Sequence, residues 1–277
     1  MSRIDSLFKN LREERRAAFI AYICAGDPDL GTTEKLVYEL DKSGADLIEL
    51  GIPFSDPIAD GPTIQRAAQR ALRKNTRLID VLNLVMNIRS KVKAPIVYMT
   101  YYNPIYHFGI EEFTRRAVES GVDGLIVPDL PPDEADELIT SAKPAGLDTI
   151  FLLAPTSTEE RIKLIAEKST GFIYYVSLTG VTGAREKTEI GVKSALAKIR
   201  KQTKMPICVG FGISSPEQVR QIVNFGADGI IVGSAIVSQI EQNLKNPNLV
   251  KSVGDFVIEL TKGTTSSPSN LEAVDIK

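Results

Sequence analysis

One pattern recurs four times along the chain and limits the folds that the chain can adopt. A glycine is followed by an apolar residue, an aspartate and a short apolar run, in Ser43–Gly51, Ser120–Asp129, Ala145–Pro155 and Phe225–Ser234. A glycine is the preferred residue just past a helix end, and a continuous apolar run suits a strand buried on both faces. Each copy therefore predicts a helix, a brief turn and a buried strand. The aspartates at the strand starts are expected to be turn residues: Asp46, Asp123, Asp148 and Asp228.

Eight such strands are predicted in total, because four more apolar runs have the same scale: Ala18–Ala25, Pro95–Thr100, Phe172–Ser177 and Pro206–Gly210. Helical patterns lie between the strands, at Thr32–Lys42, Glu111–Glu119, Asp133–Lys143, Glu159–Lys168, Val192–Lys201 and Pro216–Asn224. Eight near-equal strand–helix units with short connections predict an α/β protein with a parallel (β/α)8 barrel. A doubly wound open sheet is the alternative, but the chain shows no linker or second domain.

Three segments lie outside this repeat. Ser2–Arg16 has apolar residues at helical spacing and predicts an extra amphipathic helix before the first strand, and Leu78–Arg89 predicts an additional helix in the second unit. The polar end of the chain, residues 264–277, is expected to be a disordered tail. Residues 1–263 are expected to form a single barrel domain.

Composition excludes several classes of function. A formal net charge of −2 without a basic cluster disfavours a nucleic-acid partner. The two cysteines, Cys24 and Cys208, lie in apolar segments and are expected to be free thiols in a reducing compartment. No apolar run approaches the ~18 residues of a membrane span, and no signal peptide is recognised at the N-terminus, so a soluble cytoplasmic protein without membrane contacts is expected.

Two carboxylates flank a stiffened loop after the second strand, in LIELGIPFSDPIADGPTIQRA (Leu47–Ala67). Glu49 lies within the apolar run, and Asp60 lies in the following loop, which is rich in proline and glycine. Active sites of barrels are built at this end of the strands. The eight predicted strands contain no lysine or arginine that could pair with Glu49, so its pKa should be raised toward neutrality, which suits proton transfer. The alternatives are a paired strand residue for Glu49 and a turn residue for Asp60.

Glycine-rich segments follow the last two strands. Gly210–Ser215 (GFGISS) and Val232–Val237 (VGSAIV) place backbone N–H groups and helix N-termini where barrels often bind phosphate. The alternative is a pair of tight turns. As a dinucleotide-binding pattern the first segment is incomplete, because it lacks the third glycine.

The connection after the sixth strand, Ser177–Gly191, is long and rich in glycine, which indicates a lid over the catalytic end. A plain solvated loop is the alternative. Metal-assisted chemistry lacks a ligand cluster, Schiff-base chemistry lacks a lysine at a strand end, and the single histidine, His107, is expected in a loop after the third strand. Acid–base catalysis by two carboxylates on a phosphorylated substrate remains.

These residues resemble the tryptophan synthase alpha subunits. The segment Leu47–Ala67 looks like the signature of that family, and the similarity continues through GDP (Gly26–Pro28), YYNP (Tyr101–Pro104), PDLP (Pro128–Pro131), GVTG (Gly180–Gly183), GFGIS and VGSAIV, as far as about Lys262. The resemblance implies a phosphate-binding (β/α)8 barrel that cleaves indole-3-glycerol phosphate to indole and glyceraldehyde 3-phosphate in tryptophan biosynthesis, without a metal.

The resemblance also implies roles for individual residues. Glu49 and Asp60 match the acid–base pair, with Glu49 moving protons at the indole C3 and the glycerol C3′ hydroxyl and Asp60 beside the indole N–H. The phosphate would be bound by Gly183, Gly212, Gly233 and Ser234. The indole pocket would be lined by Tyr22, Met99, Ile126, Leu152, Tyr174 and Phe211.

A partner is implied by the same resemblance. Thr182 matches a lid residue, and Asp56 and Pro57 lie on the face where the family docks a beta subunit in an α2β2 heterotetramer. Pyridoxal phosphate is expected on the beta subunit, with no cofactor on this chain, and indole would pass to the beta subunit through a tunnel. The alternatives are another metal-free phosphosugar barrel enzyme, a barrel retained only as an allosteric activator, and a stand-alone indole-3-glycerol phosphate lyase.

Overall fold

Parallel strands form the centre of the molecule. The computed structural model describes residues 1–177, 185–210 and 212–265. Within these residues one sheet contains nine strands: β1 (Ala18–Cys24), β2 (Leu47–Gly51), β3 (Ile96–Met99), β4 (Gly124–Ile126), β5 (Asp148–Ile150), β6 (Leu152–Leu153), β7 (Ile173–Val176), β8 (Ile207–Gly210) and β9 (Gly229–Val232). All neighbouring strands are parallel.

The sheet closes into a barrel because its two end strands are consecutive in the chain. Its order is β5-β4-β3-β2-β1-β9-β8-β7-β6, and the two end strands, β5 and β6, are consecutive pieces of one stretch interrupted only at Phe151. Counted as one, they give the eight strands predicted from the sequence. The prediction of a (β/α)8 barrel is confirmed, and the open doubly wound sheet is excluded because such a sheet has two free edges.

Helices surround the strands and close one end. They are α1 (Arg3–Glu13), α2 (Leu30–Lys42), α3 (Pro62–Arg73), α4 (Leu78–Ile88), α5 (Tyr102–Phe108), α6 (Ile110–Ser120), α7 (Asp136–Ala142), α8 (Glu159–Lys168), α9 (Arg185–Arg200), α10 (Pro216–Asn224), α11 (Ser234–Gln242) and α12 (Leu249–Thr261), with short 3₁₀ turns at Arg89–Lys91 and Pro132–Glu134. The predicted extra helices are α1 and α4. None of the helices in the described part of the chain has the length and apolar character needed to cross a bilayer.

Side chains alternate between the barrel interior and the helix layer along each strand. Ile20, Leu47, Val97 and Cys208 belong to an interior cluster, whereas neighbours such as Ile48 pack outward against the helices. Three buried residues of α1 complete the interior cluster: Ile4, Phe8 and Leu11. Because Phe8 of α1 packs on Phe172, just before β7, α1 closes the N-terminal end of the barrel and leaves the other end for a site.

Polar side chains join neighbouring strand starts in pairs. In each pair a residue one to three positions before a strand donates its backbone N–H to the carbonyl of a residue on the neighbouring strand of the barrel. Its side chain accepts the backbone N–H of that second residue, and both bonds are 2.8–2.9 Å long. The pairs are Asp46 with Phe19, Asp123 with Ile96, Thr170 with Thr149, and Asp228 with Ile207. The structural role predicted for Asp46, Asp123 and Asp228 is thereby confirmed.

The connection after β7 is shorter than predicted. A loop was expected as far as Gly191, but α9 begins at Arg185, so the prediction was wrong for 185–191. Arg, Glu and Lys are good helix formers, and Gly191 is exposed, where a glycine within a helix costs only about 1 kcal/mol. The predicted lid residue Thr182 lies outside the described residues.

Two other expectations differ from the structure. His107 is exposed on α5 rather than in a loop, and Asp129 accepts the N–H of Tyr102 at 2.9 Å and so caps this helix. The expected tail began at Thr264, but Thr264 is buried and accepts the N–H of Ala17 at 3.1 Å. The packed chain therefore extends at least to Thr265, which pairs with Arg16.

Candidate active site

Glu49 is buried inside the barrel. It lies on β2 between Tyr22 of β1 and Val97 of β3 in the strand register, and only 1% of its surface is exposed. Among the described residues no side chain or backbone group contacts its Oε2 atom through a hydrogen bond. Burial, followed by the nearby charge of Asp60, raises the pKa of Glu49 from 4.5 to about 8. Glu49 is therefore mostly protonated at neutral pH, as its unpaired position in an apolar strand predicts.

Asp60 lies in the loop between β2 and α3, and a tyrosine holds its side chain. The Tyr101 hydroxyl donates to the Asp60 carboxylate at 3.1 Å and accepts the N–H of Ala59 at 2.9 Å. Burial raises the pKa of Asp60 from 3.8 to about 6, and the hydrogen bond from Tyr101 opposes that increase. At pH 7 this carboxyl is therefore mostly ionised, whereas that of Glu49 is mostly protonated.

Sequence analysis did not assign a role to Tyr101. Its side chain is 3% exposed and stacks on Phe54 of the Asp60 loop, with ring centroids 5.2 Å apart. The available signal was its position directly after the third strand, at the catalytic end of the barrel. Nothing in the sequence shows which of the two adjacent tyrosines faces Asp60, because that depends on where α5 begins.

The two carboxylates share one environment with two interior tyrosines. Burial raises the pKa of Tyr22 and of Tyr174 well above the ordinary value, and the charges of Glu49 and Asp60 both contribute to that increase. Glu49 and Asp60, eleven residues apart in sequence, are therefore brought together at the C-terminal end of the barrel.

Most residues predicted to line an indole pocket lie in this interior. Met99, Ile126, Leu152 and Tyr174 belong to the interior cluster, and Tyr22 packs with Met99 in the adjoining one. Ile64 of α3 also packs there, although sequence analysis did not name it. Phe211 lies outside the described residues.

Two tyrosines depend on glycines for their space. A Cβ atom at Gly51 would lie 2.3 Å from the Tyr22 hydroxyl, and one at Gly210 would lie 2.6 Å from the Tyr174 hydroxyl. Each ring therefore lies over a neighbouring strand where only glycine leaves room, which keeps both rings within the mouth of the barrel.

The N-terminus of α11 is open for an anion. Gly233 is its N-cap residue, Ser234 its first residue, and its first turn has neither a side-chain cap nor an acidic residue. The N-termini of α3 and α12 also have neither, but α11 starts directly after β9, at the end of the last strands where barrels often bind phosphate. The orphan N–H groups and the helix dipole favour negative charge at such an end.

Two further glycines, Gly212 and Gly183, are predicted to bind the phosphate. Gly212 lies between β8 and α10 with a φ of 70°, a backbone conformation that favours glycine. Gly183 lies outside the described residues. The structure therefore places Gly212, Gly233 and Ser234 after the last two strands, as the sequence predicts.

The predicted partner residues Asp56 and Pro57 lie on the Asp60 loop. Asp56 is exposed and accepts a hydrogen bond from the Ser55 hydroxyl at 2.5 Å. The next residue, Ile58, is 84% exposed, which is unusual for a large apolar side chain. This part of the loop therefore presents an apolar side chain beside an acid at the catalytic end.

A separate cavity lies on the outer side of the barrel wall. It has a volume of about 390 Å³ and lies between α8 and α9, behind the outward-facing Leu153 and Tyr175. Tyr174, which directly precedes Tyr175 on β7, faces inward with Glu49. This cavity therefore does not belong to the candidate active site.

The family follows from comparison with known proteins. A family model described as "Tryptophan synthase alpha chain" matches residues 8–263. The chain belongs to the tryptophan synthase alpha chain family. The match extends from within α1 to just past α12, so it includes every strand of the barrel.

Individual relatives agree in sequence and in structure. The tryptophan synthase alpha chain of Geotalea uraniireducens is 51% identical over 263 residues, 95% of this chain and 98% of the relative. That of Microcystis aeruginosa is 51% identical over 256 residues, 92% and 97% of the two chains. The crystal structure of tryptophan synthase subunit alpha from Legionella pneumophila superimposes with a TM-score of 0.89 at 39% identity, covering 95% of this alpha chain and 98% of the other.

Proposed function

We propose that Glu49 and Asp60 are the acid–base pair with which this tryptophan synthase alpha chain cleaves indole-3-glycerol phosphate to indole and glyceraldehyde 3-phosphate. The observation that carries the proposal is the buried carboxyl of Glu49, whose Oε2 has no hydrogen-bond partner among the described residues, beside the Asp60 carboxylate that the Tyr101 hydroxyl holds. Burial raises the pKa of both acids, to about 8 for Glu49 and about 6 for Asp60. Near pH 7 one carboxyl is mostly protonated and the other mostly ionised. Titratable neighbours whose pKa values are driven apart can serve as acid and base.

In the proposed reaction Glu49 donates one proton and later accepts another. Its protonated carboxyl donates to C3 of the indole ring, and the ionised Asp60 stabilises the positive charge that develops at the ring N–H. The carboxylate of Glu49 then takes the proton of the C3′ hydroxyl while the carbon–carbon bond breaks and its electron pair returns to the ring. The products are indole and an aldehyde, and Glu49 is protonated again. Each positioned acid–base group contributes roughly 10²–10⁴-fold.

The remaining residues orient the substrate. The phosphate lies against the backbone of Gly183, Gly212, Gly233 and Ser234, where the open N-terminus of α11 supplies N–H donors and a favourable dipole. The indole ring lies in the apolar pocket of Tyr22, Met99, Ile126, Leu152, Tyr174 and Phe211. Tyr101 holds Asp60 toward the ring N–H through the 3.1 Å hydrogen bond.

In this proposal the alpha chain works with a beta subunit. Asp56, Pro57 and the exposed Ile58 belong to the docking face, and Thr182 belongs to a lid over the site. The assembly is an α2β2 heterotetramer in the cytoplasm, the catalytic domain extends from residue 1 to at least Thr265, and indole passes to the beta subunit. Pyridoxal phosphate belongs to the beta subunit, and the cleavage step uses only residues of the alpha chain.

Indole release from indole-3-glycerol phosphate tests this function. The wild-type chain, Glu49→Gln and Asp60→Asn are assayed with and without a beta subunit, and Glu119→Gln on the exposed face of α6 is the matched control. We expect both site variants to lose cleavage, the control to retain it, and the beta subunit to increase the wild-type rate. Normal indole release by Glu49→Gln would contradict the acid–base assignment. Strong wild-type activity without any response to the beta subunit would identify a stand-alone lyase.

A further inference from the structure

Four charged side chains form a continuous network beside the active site. The guanidinium of Arg70 donates two hydrogen bonds to Asp27, at 2.7 and 2.9 Å, and a third to Glu241 at 2.7 Å. Arg66 donates two more to Glu241, at 2.8 and 2.7 Å. The side chain of Asp27 has no exposed surface and that of Arg70 is 18% exposed, so this is not an ordinary surface ion pair. Asp27 belongs to the GDP motif, for which the cleavage mechanism provides no role.

The network connects α3, which follows the Asp60 loop, with α11, which begins at the proposed phosphate site. Arg66 and Arg70 lie one turn apart on α3, which begins two residues after Asp60. Glu241 lies near the end of α11, whose N-cap is Gly233 and whose first residue is Ser234. Arg66 and Arg70 therefore lie on the helix that comes after Asp60 in the chain, and Glu241 lies on the helix that begins at the proposed phosphate site.

The buried apolar contacts that α3 makes with α11 come mainly from small side chains, with the half-buried Ile64 beside them. Ala67, Ala68 and Ala71 pack against Val237 of α11 and against Tyr22, and all are buried. Small apolar contacts have little directional preference, because the hydrophobic effect scales with area rather than geometry. A planar guanidinium that donates to two carboxylates at once fixes direction as well as distance.

We propose that Arg70 is a positioning residue that sets the separation between Asp60 and the phosphate-binding end of α11. It is held by Asp27, in the connection after β1, and by Glu241 on α11, with Arg66 as a second link to Glu241. The inference rests on the function proposed above, because it concerns the distance spanned by a substrate with an indole at one end and a phosphate at the other.

Substrate fragments distinguish this role from a merely structural one. The intact substrate contacts both ends of the site and depends on their separation, whereas sn-glycerol 3-phosphate contacts only the phosphate end. A shift of about 1 Å between catalytic elements can cost up to 10²-fold in rate. Breaking the network should therefore weaken turnover of the intact substrate without weakening binding of the fragment.

The experiment compares three variants with the wild-type chain in complex with a beta subunit. Glu241→Ala cuts the link to α11 and leaves Asp27 paired, and Arg70→Lys retains a charge for Asp27 without the fork that reaches two carboxylates. Arg16→Lys is the matched control, because Arg16 also donates two hydrogen bonds to an aspartate, Asp46, at 2.8 Å, but at the closed end of the barrel. Thermal unfolding, kcat and KM for indole-3-glycerol phosphate, and the Kd of sn-glycerol 3-phosphate are measured for each.

We expect Glu241→Ala and Arg70→Lys to lower kcat/KM about tenfold or more, with the fragment Kd within twofold of wild type, and Arg16→Lys to retain wild-type kinetics. The inference is overturned if kcat/KM stays within twofold of wild type, if fragment binding falls as much as turnover, or if Arg16→Lys loses as much activity. The wild-type rate separately reports on the proposed function, since a chain that releases no indole refutes the function before any variant is compared.

Discussion

Replacing Glu49 with glutamine removes a charge that the barrel interior does not solvate, and this should change how stability depends on pH. The pKa of Glu49 is raised from 4.5 to about 8, mainly by burial. Folding therefore favours the protonated acid. The stabilising contribution is fully present below about pH 4.5 and is lost as the pH rises through about 8. Glutamine has nearly the same shape and does not titrate.

The size of the effect follows from the shift. Between the unfolded and folded pKa values, stability changes by about 1.4 kcal/mol per pH unit for one group. From pH 5.5 to 7.5 the wild-type chain should therefore lose about 3 kcal/mol relative to Glu49→Gln. At about 2 °C per kcal/mol for a chain of this size, the difference in Tm between the two proteins should grow by roughly 6 °C. Asp60 is present in both proteins, so its own titration largely cancels.

Thermal unfolding of the two chains at pH 5.5, 6.5 and 7.5 measures this difference. Glu241→Gln is the control, because the guanidinium of Arg66 lowers the pKa of Glu241 from 4.5 to about 2. Its contribution is present above about pH 4.5 and is lost as the pH falls through about 2, so its Tm difference from wild type should stay constant over the range measured. A difference between Glu49→Gln and wild type that is equally constant would refute the raised pKa of Glu49, and with it the supply of a protonated acid at pH 7.

Three further predictions concern turnover. The pH profile of kcat/KM should be bell-shaped, with limbs near pH 6 and 8, because Asp60 must be ionised and Glu49 protonated. Steady-state rates from pH 5 to 9 measure this profile, and a single limb would show that only one carboxyl is required. Tyr101→Phe removes the hydrogen bond that lowers the pKa of Asp60, so the acid limb should move to higher pH and kcat/KM should fall about tenfold; an unmoved acid limb in the same assay counts against this role. Gly212→Asp should raise KM steeply through charge repulsion and a strained positive φ, and an unchanged KM would remove Gly212 from the phosphate site.

The barrel was predictable because its signals are local. Glycine C-caps, buried apolar runs and cap residues repeat along the chain, and the bounds predicted for the helices at Glu159–Lys168 and Pro216–Asn224 are those of the structure. The proximity of Glu49 and Asp60 was also predictable, since strand ends of a barrel meet at one face. Local signals failed where local preferences compete, as at Gly191, which resembles a loop residue but lies on the exposed side of α9.

Contacts between distant segments could not be predicted from one sequence. The hydrogen bond between Tyr101 and Asp60 spans 41 positions, and the one between Arg70 and Glu241 spans 171. Each depends on the rotation of a helix or loop about its own axis, which propensities do not determine. For the same reason Thr264 was assigned to a tail, because the carbonyl that pairs it with Ala17 carries no compositional signal.

The paired strand starts have a consequence for how the molecule can be divided. The pairs join β1 with β2, β3 with β4, β5 with β7, and β8 with β9. The four side-chain acceptors are Asp46, Asp123, Thr170 and Asp228. Two consecutive strands, a quarter of the barrel, are thus the smallest piece in which the hydrogen bonds between two strand starts are complete. A chain break or domain insertion between quarters leaves all four pairs intact, whereas one within a quarter separates a pair. A cut after the second, fourth or sixth strand of the barrel therefore leaves each of these four side chains paired.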